Sequence, residues 1–327
     1  MLAAKNKTLV DRLQKSRNIQ RQTARVYASN LRRVNRELSD RDFNFDLKWL
    51  KDTKILDKLK QLKSINVKRN LTSSIIVGLA VLPESETVKK SYSDYLHVLN
   101  KENEEMLRKG KFTKKQEQKH VPWKQIKKLT KQLNSETRLS QLYKRDKFVK
   151  KDFVKLQQAL ILRLYTGPLP PVRSDWADIR FYTEKEYNKL PKSAKTGNVL
   201  ISKRGSLEVH WKEYKTKRVY GDQVNKVPKG VLYKQLMKHM KYMRRHFPEN
   251  RNLLLNHRLE PMSRNSLSKF LGRLFTERFG KKVGSSAIRT SFLTHRYDHK
   301  TMLKEADLAK KMHHSQAARK YYVKETK

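Results

Sequence analysis

Residues 153–178 read FVKLQQALILRLYTGPLPPVRSDWAD, and a change of character inside them decides the fold. From Phe153 to Tyr165 the stretch is mostly apolar, as a buried helix is, and Thr166-Gly167-Pro168 stops it, because proline cannot continue a helix and glycine favours its end. Beyond the prolines the pattern alters. Asn198 to Ile201, Ser206 to Glu213 and Arg218 to Val227 alternate or are rich in β-formers, and Lys203-Arg204-Gly205 and Lys215-Thr216-Lys217 separate them. This predicts a small antiparallel sheet, within about residues 176–228, inserted between helices. Helical spacing resumes with Leu232, Leu236, Met240 and Met243, and again with Leu267, Phe270, Leu271, Leu274 and Phe275.

Toward the N-terminus the chain reads as helix alone. Tyr27, Leu31, Val34 and Leu38 share one helical face, and Leu47, Leu50, Leu56, Leu59 and Leu62 suggest a second helix or a pair. Residues 71–82, LTSSIIVGLAVL, carry no charge and end at Pro83, as the centre of a small helical domain would. A further helix covers about Lys89 to Leu107. Residues 108–120, RKGKFTKKQEQKH, hold one apolar side chain and one glycine and read as a basic linker. The predicted fold class is therefore mainly α with a small antiparallel β-sheet: a helical domain (1–107), a basic linker (108–120) and a mixed α+β domain (121–327).

Charge narrows the partners. Lys and Arg total 77 against 31 Asp and Glu, a net charge of +46 over 327 residues. So positive a surface repels itself until a polyanion neutralises it, and it gathers nucleic acid by releasing counterions. Hydrophobic residues make up 37 %, enough to build packed cores and to argue against a disordered basic tail. A protein that merely coats nucleic acid with charge would share this composition. The chain has no cysteine, which excludes a disulfide scaffold, a cysteine-rich zinc finger and a thiol nucleophile. No apolar run approaches the ~20 residues of a membrane span and no secretory segment opens the chain, so a soluble, intracellular protein is expected.

Chemistry on DNA without cysteine leaves carboxylate-held metals or a hydroxyl nucleophile with cationic stabilisers. Acidic residues are scarce, and the second domain offers no trio of them at element ends. The other route needs guanidinium forks on the phosphate oxygens, a proton donor for the leaving alkoxide and a nucleophile. Those types occur in order. Arg173 follows the Gly167-Pro168 break, Lys215 stands at a predicted hairpin turn, and Arg289 lies at the start of a predicted helix in Ser285-Ser286-Ala287-Ile288-Arg289-Thr290. His313-His314 and Tyr321-Tyr322 come last. His295 and His299 stand four apart, a spacing open to zinc, but no cysteine or HExxH pattern accompanies them. Asp175 and Asp178 read either as salt-bridge partners that orient Arg173 or as packing and capping residues.

With these residues the sequence resembles the tyrosine recombinases of the phage-integrase superfamily, most of all the divergent members carried by eukaryotic mobile elements, large DNA viruses and virophages. Thr23-Ala24-Arg25-Val26-Tyr27 with Leu31 is similar to the opening of that family's core-binding domain, and Tyr165-Thr166-Gly167 leading to Arg173 to its first arginine box. The resemblance implies that Arg173 and Arg289 hold the scissile phosphate, that Lys215 protonates the departing 5′ oxygen, that His314 (alternatively His313) assists, and that Tyr322 (alternatively Tyr321) is the nucleophile. It implies double-stranded DNA as partner, a homotetramer acting on two DNA sites in the host nucleus or a viral factory, and no cofactor, metal, membrane or small-molecule substrate. Ser286 departs from the pattern, since the family usually has a histidine there; a hydroxyl binds phosphate but does not act as an imidazole, and His295 is the alternative bearer of that role. The rival expectations are a type IB topoisomerase-like relaxing enzyme and a non-catalytic DNA-binding protein of the same fold.

Overall fold

The computed structural model describes residues 2–312, and the chain divides into two compact units, Met1–Lys111 and Phe112–Lys327. The first is all helix: α1 (Leu2–Arg17), α2 (Arg21–Leu38), α3 (Lys54–Lys60), α4 (Ile65–Leu79) and α5 (Glu86–Arg108). α2 buries Ala24, Ala28, Leu31, Val34 and Leu38, the stripe its spacing requires, while Tyr27 packs half-buried beside them. α4 is the central helix of this unit. Its polar residues tolerate burial because Thr72, Ser73 and Ser74 each donate a hydroxyl hydrogen bond to the carbonyl four residues back, at 2.7 to 2.8 Å. Gly78 sits where a Cβ would come 2.7 Å from Leu50 Cδ1, so a larger residue there would have to push the Leu50 side chain aside. α4 stops at Leu79, whose carbonyl accepts the Ser85 hydroxyl at 2.7 Å, just short of Pro83.

The polar stretch 108–120, read from composition as a linker, is divided. Arg108 ends α5, and Thr113 opens a short helix, α6 (Lys114–Glu117), with a capping box to Gln116. Phe112 packs against His120 with the rings tilted (centroids 4.6 Å apart), and the His120 carbonyl accepts Lys281 Nζ at 2.9 Å, so the latter half of the stretch is part of the second unit. Composition alone does not register such caps and ring contacts.

The second unit is built around α8 (Lys150–Thr166), which packs against α7 (Trp123–Leu139) and buries Phe153, Leu156, Leu160, Leu162, Leu164 and Tyr165. Four strands follow: β1 (Arg180–Thr183), β2 (Val199–Lys203), β3 (Ser206–Trp211) and β4 (Gln223–Lys226), in that spatial order. β2–β3 and β3–β4 are antiparallel, but β1–β2 is parallel, Arg180 facing Val199, so the sheet is mixed and not antiparallel throughout. The reason is β1 itself. Its four residues lead straight into a capping box (Thr183 to Glu186) and helix α9 (Glu184–Lys189), and this crossover returns the chain in the same direction. Leu200 and Phe181 face the main core, whereas Val199, Ile201 and Tyr182 face Tyr187 and Leu190 on the other side. Both faces are covered there, which is why the β2 sequence is apolar without alternation.

The predicted strand over 218–227 is also shorter. Lys217–Tyr220 form one helical turn, α10, which Gly221 ends in the left-handed region (φ 66°), and only 223–226 pair with β3. Helices α11 (Val231–His246), α12 (Arg264–Phe279), α13 (Ser285–Arg296) and α14 (His299–Lys311) complete the described unit, and α11–α13 contribute Leu236, Met240, Leu271, Phe275 and Ile288 to its core. Among the described residues no helix is long and apolar enough to cross a membrane. The broad class is a mainly helical chain with a small four-stranded mixed sheet.

Candidate functional site

Three segments of the second unit meet at Asp175. The first is the loop after α8. Tyr165 is fully buried, and its hydroxyl donates to the Arg173 carbonyl at 2.6 Å; that bond folds the proline-bearing segment back onto the helix that launches it. Gly167 makes the turn possible, since a Cβ there would lie 2.7 Å from the Arg163 carbonyl. The second segment is the start of α13: Ser285 Oγ lies 3.2 Å from Ser174 Oγ, and Arg289 stands one turn further on. The third is the base of the β3–β4 connection. Asn198, itself buried, donates to the carbonyls of Asp175 and Glu213 (3.0 Å each) and accepts the backbone N–H of Lys212 and Glu213 (2.9 Å each). Arg264, at the first position of α12, reinforces the junction, donating to the Glu213 carbonyl at 2.8 Å and lying 3.5 Å from Asp175 Oδ1.

The electrostatics are lopsided. Burial pushes the Asp175 carboxyl above its ordinary value, and Arg264, Arg173 and Arg289 pull it back. Burial lowers the Arg289 guanidinium, Arg173 lowers it further, and Asp175 opposes both. Tyr165 is held protonated, raised chiefly by burial. Three guanidinium groups thus surround the buried Asp175 carboxylate, and one of them, Arg264, also acts on the Asp178 carboxylate. The positive charge of Arg173 and Arg289, part-buried where water screens it poorly, suits a phosphate oxyanion.

The expected residues fare differently. Arg173 and Arg289 come together, both half-buried. Lys215 is exposed on a loop whose base Asn198 fixes, and the Tyr214 hydroxyl closes that loop onto the Gly221 carbonyl at 2.6 Å. Ser286 is exposed in the first turn of α13, one turn before Arg289. His295 is exposed near the other end of that helix; nine residues of helical rise put it about 13 Å along the axis from Ser286, so it does not take that position over. Asp175 turns its carboxylate to Arg264 and to the Arg173 backbone, and Asp178 donates its N–H to the Met262 carbonyl (2.8 Å). His313, His314, Tyr321 and Tyr322 lie outside the described residues.

Sequence reasoning missed Asn198 and Arg264 as members of this site. Arg264 carried a signal: a cation in the first helical turn opposes the macrodipole and needs a compensating partner. Compared with family models, curated proteins and solved structures, the chain matches none.

Proposed function

We propose that the chain is a site-specific DNA recombinase or integrase that cuts and rejoins duplex DNA through a 3′-phosphotyrosyl intermediate, with Tyr322 as nucleophile. What carries the reading is the pair Arg173 and Arg289 beside the buried Asp175 carboxylate, with the Lys215 loop tied to the same junction through Asn198. The net charge of +46 supplies the sequence-independent affinity for DNA. In this reading the Tyr322 hydroxyl gives its proton to solvent as its oxygen bonds to phosphorus, the bond from phosphorus to the 5′ oxygen breaks, that oxygen leaves with a proton from Lys215, which solvent restores, and Arg173, Arg289 and His314 neutralise the pentacoordinate phosphate. The 5′ hydroxyl of the partner strand then attacks phosphorus and expels the tyrosine. Each bond broken is matched by one formed, so no ATP enters. Four protomers on two DNA sites follow from the family resemblance.

The test is a suicide duplex, nicked near the cleavage point and drawn from the DNA that flanks the gene, incubated with full-length protein in EDTA. A denaturant-stable adduct is expected, lost in Tyr322→Phe and slowed about 10²-fold or more in Arg289→Ala. An adduct that survives in Tyr322→Phe but vanishes in Tyr321→Phe moves the nucleophile by one residue. Relaxation of supercoils by a monomer without a defined site would favour the topoisomerase-like reading. Absence of any adduct with wild-type protein would leave a DNA-binding protein without catalysis.

A further inference from the structure

A second anion site is suggested by a cavity of about 670 Å³ between α7, α8 and α11 that shares no lining residue with the Asp175 junction. Six of its lining side chains are cationic: Lys131, Arg138, Lys144, Arg163, Lys234 and Lys238. No Asp or Glu lines it among the described residues. Lysines at the rim of so basic a protein mean little by themselves. Two groups deeper in the wall mean more.

Arg163 projects from α8 half-buried, its Nε sealed from solvent without a hydrogen-bond partner, and no carboxylate pairs with it among the described residues. Burial alone lowers its affinity for a proton, with no neighbouring acid to restore it. A guanidinium taken out of water without a counterion is costly, and the usual relief is a carboxylate or a phosphate. Beside it Gln235 is 7 % exposed, and both its Nε2 and its Oε1 lack partners. It lies beside the Tyr143 hydroxyl, close enough to oppose the rise in that hydroxyl's pKa but outside hydrogen-bond geometry. A buried carboxamide whose N–H donors and carbonyl acceptor are all free is the edge that pairs with a heterocycle presenting a complementary acceptor and donor. The volume, within the range of small-molecule pockets, accommodates such a ring together with its phosphates.

We propose that this cavity binds a nucleoside phosphate, the phosphates against Arg163 and the lysines and the base edge against Gln235. The same chemistry comes from a free nucleotide or from an unpaired nucleotide of a DNA strand, and the site stands independently of the recombinase reading.

Binding of a fluorescent ATP analogue to the full chain, followed by anisotropy at physiological salt, tests it, with tripolyphosphate and a single-stranded oligonucleotide as competitors. Arg163→Gln is expected to weaken nucleotide binding about tenfold or more. The control Lys192→Gln, an exposed lysine outside the cavity, removes the same charge and is expected to change binding by less than about twofold. Gln235→Leu, nearly isosteric, is expected to abolish the preference for ATP over tripolyphosphate while leaving tripolyphosphate binding intact, and it keeps the proposal testable if Arg163→Gln does not fold. If the free nucleotide fails but the oligonucleotide binds with the same dependence on Arg163 and Gln235, the ligand is strand-borne. Equal losses in Arg163→Gln and Lys192→Gln, or no loss with either ligand, overturn the proposal.

Discussion

Replacing Asn198 by alanine removes four hydrogen bonds at one position and severs the tie between the Arg173 segment and the Lys215 loop. The losses are unequal. Glu213 is exposed, so its N–H and carbonyl regain water, and the carbonyl keeps its bond from Arg264. The Asp175 carbonyl belongs to a buried residue and the Lys212 N–H to a half-buried one, so these two are left poorly satisfied. At roughly 1 kcal/mol per net hydrogen bond, with more for a stranded buried group, Asn198→Ala should cost about 2–4 kcal/mol. Urea unfolding followed by tryptophan fluorescence reads this, since Trp176 and Trp211 stack edge-on beside the junction with centroids 4.9 Å apart. Asn198→Asp sharpens the result. It keeps the acceptor for the two N–H groups but turns a carboxylate oxygen toward two carbonyls, so at neutral pH it should be at least as harmful as alanine, and protonation in acid should relieve it. A cost below about 1 kcal/mol for Asn198→Ala, or an innocuous Asn198→Asp at neutral pH, would refute the junction as described.

Two further perturbations test other parts of the second unit. His239 is fully buried, its Nε2 donates to the Leu253 carbonyl at 2.9 Å, and burial pushes its pKa down to about 4. The unfolded chain takes up this proton near pH 6.5 and the folded one does not, so the contribution is fully present above pH 6.5. Stability should fall by about 3 kcal/mol as pH drops from 6.5 toward 4, and His239→Gln should flatten that slope in urea titrations. Gly167→Ala brings a Cβ against the Arg163 carbonyl, which forces the end of α8 to shift; a loss of about 1–3 kcal/mol in thermal or urea unfolding is expected, with a larger proportional loss of adduct formation because Arg173 hangs from that turn.

The helices were legible because burial repeats along them. Leu31, Val34 and Leu38 on α2, or Leu236, Met240 and Met243 on α11, face one way wherever the rest of the chain lies. β1 was not, because four residues, Arg180 to Thr183, are too few to show a period, and its parallel pairing depends on the α9 crossover rather than on its own side chains. The same division runs through the site. Arg173 and Arg289 stand out because each follows a recognisable break or cap. Asn198 binds the backbone carbonyls of Asp175 and Glu213, and Arg264 donates to the latter; every residue carries a carbonyl, so no residue type at the receiving end betrays these bonds.

That distinction bears on how the site would act. The junction fixes its members by backbone ties at their bases, while the Lys215 side chain stays exposed at the loop and Arg173 and Arg289 stand beside the buried Asp175 carboxylate. Such an arrangement is rigid where it is anchored and electrostatically incomplete where it faces outward. In the proposed reading a phosphate entering between Arg173 and Arg289 would supply negative charge there, and the exposed Lys215 would approach it from a loop whose base Asn198 fixes. In the proposed recombinase reading, the ties at Asn198 and Arg264, and not the side chains of Lys215, Arg173 and Arg289 alone, would set whether those three groups reach the same phosphorus atom.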